Sequence, residues 1–325
     1  MINNAQKTNR EVIEKFMEVT GCNYLCLFGG AAIDRYLNPD CEIMDYDIAI
    51  RDPEVYTRSI ERLREIDCEV GTPRATAFTV ATVVKHKDLG VFDLNCMNIE
   101  QNGLFNLEKF YIEYSSEHPT GKAIDTYGAI PGLRSGHIEL AVDPAGEKAY
   151  DLLRRFSVLA GKYDFPLDRG GINENTISAI EKRLIETPCN SKNEHSRIRC
   201  LARFLGAAFR RNKQAEYFAK MGQTGLYAYG FPAIQSIMEN QDFIEELTVY
   251  PAKDKKELIE KMYAYSKAKE AFIDEISLLS KRERDREDPK VFDKIVEYSS
   301  QKTSINKLNR DIIKPLLQFK LSRGA

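Results

Sequence analysis

The chain has 325 residues and is 43% hydrophobic, so it is long enough for more than one domain with a packed core. Its formal net charge of −2 excludes a global field that would attract a polyanion, and any nucleic acid would have to meet local basic patches. Because it has neither an apolar run of membrane-spanning length nor a signal-peptide pattern, we predict a cytoplasmic protein without membrane contact. The seven cysteines are odd in number and irregularly spaced, which predicts free thiols rather than a disulfide framework or a zinc site.

The N-terminal part of the chain alternates between helical and strand patterns. Proline near the start of one helical segment and a glycine pair at the start of another mark their first turns. Two β-rich segments joined by a polar turn, His86–Gly90, are typical of a hairpin. The predicted elements are helices over 8–19, Gly29–Leu37 and Pro53–Glu65, and strands over 23–28, Asp45–Ile50, Phe78–Lys85 and Val91–Met97.

From about Gly146 onward the pattern becomes helical, with short breaks around glycine and proline. No glycine- and serine-rich linker separates the two halves, so a helical region packed directly after the head is expected. We therefore predict an α+β protein. A head of mixed sheet and helices spans residues 1–145, and an all-α region spans 146–325.

A glycine pair followed by three acidic residues is the strongest chemical signal in the sequence. Gly29 and Gly30 stand between an apolar strand and a helix, where backbone N–H groups and the helix N-terminus favour a phosphate. Asp45 and Asp47 occupy positions i and i+2 of a strand and therefore point to the same face. Asp93 lies in a second apolar strand and is expected next to them.

Carboxylates this close are stable when something positive lies between them. Hard oxygen ligands on rigid strands suit Mg²⁺ shared with substrate phosphates, and Asp93 allows a second ion for an in-line displacement. Each fragment alone has a structural alternative, since Asp-x-Asp is common in turns and a glycine pair is only a loop signal. Their order beside apolar strands favours a site for a nucleoside triphosphate and two Mg²⁺ ions, with Asp45, Asp47 and Asp93 as ligands.

The segments Phe28–Asp34 and Asp45–Asp47 resemble the signature of polymerase β-type nucleotidyltransferases. The similarity is closest to the class II tRNA nucleotidyltransferase and bacterial poly(A) polymerase family. It continues through the segments 121–144, 196–199 and 225–232. The resemblance implies a catalytic head followed by a helical neck, body and tail that bind RNA.

Two motifs of this family differ in residue identity here. The arginine that usually follows the glycine motif is replaced by Ile33, and the polar motif expected near Asn106–Phe110 has mostly changed identity. Two departures inside conserved motifs of the resembled family leave an inactive RNA-binding relative as one alternative, although the three acids are retained.

A third family motif, in the neck, reads the base of the incoming nucleotide in CCA-adding members. The nearest equivalent here is Asp151-Leu152-Leu153-Arg154, which keeps the Asp-x-x-Arg spacing but is shifted by about two residues against its surroundings. One helical turn apart, Asp151 and Arg154 could offer an acceptor and a bidentate donor to a base edge, with Arg155 beside them. An ordinary surface ion pair is the alternative.

Further basic residues are candidate donors to phosphates of the triphosphate or of RNA. Guanidinium groups bind phosphate bidentately, which singles out Arg197, Arg199 and Arg203 on a later predicted helix. The C-terminal segment is basic and contains Lys314 and Lys320, so it is a candidate RNA contact, with a solvated surface helix as the alternative.

Together these observations predict a template-independent enzyme that transfers a nucleoside monophosphate to an RNA 3′-hydroxyl and releases pyrophosphate. The resemblance implies ATP and CTP as substrates and the 3′ end of tRNA as the acceptor. A poly(A) polymerase, or a nucleotidyltransferase that modifies a protein or a small molecule, would use the same three acids and stays open. The sequence leaves the oligomeric state undecided.

Overall fold

The computed structural model describes residues 9–284, except 40, 42, 44, 67, 76–78, 88, 188 and 211–212. The predicted RNA contacts Lys314 and Lys320 lie outside the described residues. The chain divides into two compact units, and the boundary falls between Val142 and Asp143. The catalytic and RNA-binding roles proposed for residues 1–145 and 146–325 stay a prediction.

The first unit combines four helices and eight strands among its described residues. Its helices are α1 (Asn9–Thr20), α2 (Gly29–Leu37), α3 (Pro53–Glu65) and α4 (Ala129–Ser135). Its strands are β1 (Tyr24–Phe28), β2 (Asp45–Ile50), β3 (Glu69–Val70), β4 (Arg74–Ala75), β5 (Val80–His86), β6 (Gly90–Cys96), β7 (Tyr111–Ser115) and β8 (Lys122–Ile124).

Local signals explain why several bounds agree with the sequence prediction. Helix α3 begins where Asp52 accepts hydrogen bonds from the backbone N–H groups of Glu54 (2.8 Å) and Val55 (3.2 Å), with Pro53 in its first turn. Helices α2 and α3 and strand β2 have the predicted bounds, and β5 and β6 form the predicted antiparallel hairpin. The short strands β3, β4, β7 and β8 were not predicted.

The strands form one sheet in the order β3-β5-β6-β2-β1-β7-β8, and β4 also pairs with β5. Strands β2 and β6 are parallel, whereas the other pairings of the described strands are antiparallel. A parallel pair needs a crossover, which α3 and the strands β3 to β5 supply. The chain therefore brings two strands that are distant in sequence side by side at the centre of the sheet.

One face of this sheet is packed against helices and is called the back face. Phe92 of β6 lies on it, with ring centroids 5.0 Å from Phe16 of α1 and 5.3 Å from Tyr46 of β2. Tyr56 of α3 shares a hydrogen bond of 2.7 Å with the Thr82 hydroxyl of β5 on the same face. Because strand side chains alternate, burying these residues turns Asp45, Asp47 and Asp93 to the opposite face, which we call the acid face.

The second unit is helical over its described residues, as the sequence predicted, and the fold is α+β. Its helices are α5 (Ala149–Lys162), α6 (Glu174–Glu186), α7 (Ser191–Ala207), α8 (Gln214–Thr224), α9 (Pro232–Met238), α10 (Gln241–Val249), α11 (Lys255–Tyr265) and α12 (Lys269–Arg284). In the part of the chain that the structure describes, no helix is both long and apolar enough to cross a membrane.

Helices α5 and α7 of this unit approach each other closely. A Cβ added to Gly161 of α5 would lie 2.8 Å from the Cβ of Ala207, so the contact requires small residues on both helices. The ring centroids of Phe204 and Tyr227 lie 4.3 Å apart. The Tyr227 hydroxyl shares a 2.9 Å hydrogen bond with the Ser157 hydroxyl. This packing fixes α5, which carries the candidate base-reading residues Asp151 and Arg154, against α7, which carries Arg199.

Candidate active site

The turn between β1 and α2 places a glycine against a carboxylate. Gly29 has φ +65°, and a Cβ added there would lie 2.9 Å from Oδ2 of Asp47. Both the left-handed backbone and the close approach require glycine at this position. Phe28 precedes α2 and gives no side-chain cap to its first turn, where backbone N–H groups have no partner within the helix. An anion next to Gly29 and Gly30 would meet these donors.

Two of the three predicted acids are directly paired across the parallel strands. Asp47 of β2 is the register partner of Asp93 of β6, so their side chains project side by side from the acid face. Asp45 lies two residues earlier in β2, on the same face and beside Val91. Asp45 is exposed, and Asp47 and Asp93 are half-buried.

Asn95 supports the Asp93 carboxylate and was not predicted from the sequence. Its amide Nδ2 donates to the Asp93 backbone carbonyl at 2.9 Å and to Oδ1 of the Asp93 side chain at 3.3 Å. Asn95 is only 8% exposed, which restricts its rotamers and those of the carboxylate it holds. The available signal was its position two residues after Asp93, which places both on one face of β6.

In the second unit, Asp151 lies at the centre of a group of donors. Its Oδ1 accepts from Arg154 Nε at 3.2 Å and from Arg199 Nη2 at 2.7 Å, and Ser196 Oγ lies 3.4 Å from Oδ2. Burial lowers the pKa of the Arg154 guanidinium, with a further lowering by the positive charge of Arg155. Asp151 and Arg154 form the ion pair that was the alternative to base reading, and base reading by these two residues stays a prediction. The basic residues around Asp151 outnumber the one acid.

The remaining predicted arginines have different environments. Arg197 donates from Nη2 to the Gly230 carbonyl at 2.7 Å, and its guanidinium lies 5.4 Å from the centre of the Phe231 ring. These contacts hold Arg197 against residues of its own unit, and its predicted contact with RNA stays a prediction. Arg155 is half-buried on α5, whereas Arg203 is exposed on α7, one turn beyond Arg199.

Comparison with known proteins identifies the fold. No protein-family model and no curated protein matches the sequence. Among solved structures, a tRNA-processing enzyme in an apo form aligns over 90% of this chain and 77% of its own, with 15% identity and a TM-score of 0.57. The Thermotoga maritima CCA-adding enzyme complexed with tRNA aligns over 91% of this chain and 75% of its own, with 14% identity and a TM-score of 0.53. A CCA-adding enzyme in complex with ATP aligns with 15% identity and a TM-score of 0.51 over 91% of this chain and 75% of its own.

The chain has the fold of the CCA-adding enzymes. The resemblance found in the sequence is thereby confirmed at the level of the fold.

Within this CCA-adding-enzyme fold, the two sequence departures lie at packed positions. Ile33, where the resembled family carries arginine, is 2% exposed and lies in the core. Asn106 is buried, and its Oδ1 accepts from the backbone N–H groups of Leu107 (2.9 Å) and Glu139 (3.2 Å). Both residues stabilise the first unit itself.

The acid face of this CCA-adding-enzyme fold has the donor chemistry that Mg²⁺ prefers. Three carboxylates provide hard oxygen ligands, and the missing Cβ of Gly29 leaves space beside Asp47. Among the described residues, no group of three or more His, Cys, Asp or Glu side chains gathers closely enough to hold one ion. The acids are instead spread along one face, which fits ions held by one or two carboxylates together with substrate phosphates.

Proposed function

We propose that this protein is a template-independent RNA nucleotidyltransferase. It transfers a nucleoside monophosphate from ATP or CTP to the 3′-hydroxyl of RNA, with the tRNA 3′ end as acceptor, and releases pyrophosphate. The observation that carries the proposal is the register pair of Asp47 and Asp93 next to the glycine turn at Gly29. Residues 1–145 are the catalytic domain, and 146–325 provide base selection and RNA contacts.

The geometry of the acid face agrees with a displacement at the α-phosphorus. The 3′-hydroxyl oxygen forms a bond to that phosphorus, the bond to the β-phosphate bridging oxygen breaks, and the hydroxyl proton is released to water. The N–H groups at Gly29 and Gly30 hold the pyrophosphate end. Asp45, Asp47 and Asp93 would hold two Mg²⁺ ions, which when bound would neutralise the triphosphate and lower the pKa of the attacking hydroxyl.

Base selection is assigned to Asp151 and Arg154. A carboxylate oxygen and a guanidinium, held one helical turn apart on α5, present an acceptor and paired donors to one base edge. Arg199 donates to the same carboxylate and holds Asp151 in place. Arg155 and Arg203 are proposed contacts to the phosphates of the triphosphate or RNA.

Replacing Arg154 by lysine is expected to reduce discrimination between ATP and CTP by roughly tenfold, because a point charge replaces a planar fork of donors. Arg183→Lys is the matched control, since both arginines are 21% exposed at the side chain and pair with an acid three residues away. Competition assays with labelled ATP and CTP measure the ratio of kcat/KM values. If the ratio of kcat/KM values for ATP and CTP is the same in Arg154→Lys and wild type, Arg154 has no role in base selection.

The proposed activity is tested with purified protein, Mg²⁺, a tRNA transcript lacking its 3′ CCA, and an unrelated short RNA. Each labelled NTP is supplied separately and then together, and products are resolved on a sequencing gel. Addition of C, C and A that stops on the tRNA alone is the expected result. A growing ladder with ATP on both RNAs would identify a poly(A) polymerase instead.

A lack of RNA product under every condition would contradict the proposal. Labelled protein or small-molecule product without added RNA would then identify the alternative nucleotidyltransferase. RNA binding without metal-dependent turnover would identify an inactive relative.

A further inference from the structure

Strand β5 lies beside the candidate catalytic acids and has no role in the chemistry described so far. Its side chains alternate, with Thr82 and Val84 buried on the back face at 1% and 0% exposure. Val83 and Lys85 therefore project from the acid face. Val83 is the register partner of Asp93, and Lys85 is the register partner of Val91, which in turn pairs with Asp45.

Both side chains are accessible. Val83 is 40% exposed, although valine is a large apolar residue, and the Lys85 side chain is 50% exposed. The Lys85 ammonium lies 3.9 Å from a carboxylate oxygen of Glu69 on β3. An exposed ion pair at this distance contributes little to stability, so the ammonium can exchange that partner for another anion.

The order of the strands places different elements on the two sides of the catalytic acids. The acids lie on the central strands β2 and β6, with the glycine turn of β1 on one side and β5 on the other. In phosphoryl-type transfer the attacking and leaving oxygens lie roughly in line through the phosphorus. If the glycine turn holds the leaving pyrophosphate, the attacking hydroxyl has to approach from the side of β5.

We propose that Val83 and Lys85 form the acceptor-strand subsite, in which Lys85 binds a phosphate of the RNA 3′ end and Val83 contacts its terminal sugar or base. The inference rests on the proposed function and adds the side from which the acceptor enters. An ammonium group is a suitable point charge for a backbone phosphate, and such contacts carry no sequence information. Lys85 is a positioning residue, because it orients the nucleotide that bears the reacting hydroxyl.

The test compares Lys85→Ala with Lys15→Ala. Lys15 is 48% exposed at the side chain, pairs with one glutamate, and lies on α1, which packs on the back face. Initial rates are measured on a tRNA transcript that ends in CC, with varied RNA at saturating ATP and with varied ATP at saturating RNA, at several KCl concentrations. We expect Lys85→Ala to raise the acceptor KM roughly fivefold and to leave the KM for ATP unchanged. The slope of the logarithm of the acceptor KM against the logarithm of the KCl concentration, called the salt slope, is expected to fall by about one.

Two further variants test whether the positive charge of Lys85 binds the acceptor. Lys85→Arg is expected to restore most of the acceptor affinity, because it keeps the charge. Glu69→Gln is expected to lower the acceptor KM, because it releases the ammonium from its carboxylate partner. The Lys15→Ala variant is expected to behave as wild type in both measurements.

Equal acceptor KM and salt slope for Lys85→Ala and Lys15→Ala would overturn the subsite. Fluorescence anisotropy with the labelled tRNA transcript gives a second readout that does not need turnover. A wild-type protein that makes no RNA product contradicts the proposed function itself. In that case equal RNA affinities of wild type and Lys85→Ala overturn the subsite as well, and a loss of affinity confined to Lys85→Ala supports it.

Discussion

Replacing Asp47 by asparagine is expected to lower kcat/KM by about a thousandfold, because several kcal/mol of metal-dependent stabilisation are removed from the transition state. Asp47 is the acid that is both paired with Asp93 and in contact range of the glycine turn. The fold is expected to be retained, since the side chain is half-buried and its loss relieves repulsion from a neighbouring carboxylate. Turnover with the labelled NTP and a thermal melt by circular dichroism measure the two effects.

Asp52→Asn is the control for this change. Asp52 caps α3 in the same unit, and asparagine caps a helix about as well. The kcat/KM of Asp52→Asn is therefore expected within about twofold of wild type, with a melting temperature close to that of wild type. Asp45→Ala is expected to reduce turnover to a similar degree as Asp47→Asn. Near wild-type turnover of either Asp45→Ala or Asp47→Asn would make the proposed mechanism wrong.

Replacing Gly29 by alanine is expected to reduce kcat/KM roughly a hundredfold, the effect of displacing a catalytic group by about an ångström. The new methyl would lie 2.9 Å from Asp47 Oδ2, so the carboxylate or the turn has to move. The left-handed backbone adds a cost of about 1–2 kcal/mol to folding. Steady-state kinetics and the melting temperature separate the two consequences.

Gly128 offers a matched control for Gly29. It has the same φ of +65°, and a Cβ added there would meet nothing within 4 Å. Gly128→Ala is therefore expected to lower the melting temperature by a similar amount and to keep wild-type activity. Equal losses of activity in both variants would show that backbone strain, and not the contact with Asp47, accounts for the effect.

The sequence predicts those elements whose signals are local. The glycine pair, the proline at the start of α3 and the alternation around Asp45 gave the bounds of α2, α3 and β2. Strand β7 was missed although Tyr111–Ser115 alternates in burial, because five residues carry little periodicity and its partner β1 is distant in the chain. The short strand β3 depends in the same way on pairing with β5.

The same contrast applies to the candidate site, where local patterns were predicted and contacts between distant segments were not. Strand periodicity places Asp45 and Asp47 on one face, and Asp93 is expected beside them on a second strand. The structure adds the register that pairs Asp47 with Asp93. The bond from Arg199 to Asp151 joins two helices and leaves no trace in local spacing. The bond from Arg197 to the Gly230 carbonyl was likewise not foreseeable, because Gly230 lies in a distant turn.

The parallel pairing of β2 with β6 also has a consequence for how the protein forms. A nascent chain that ends before β6 contains the glycine turn and two acids but lacks Asp93, so the site is a late product of folding. Closing the long segment between the two strands is slow relative to a hairpin, because its entropy is lost before the contacts form. A one-residue slip of β6 would turn Asp93 toward the back face and expose Phe92 and Leu94. The packing that forms the core therefore excludes the register in which the acids are separated.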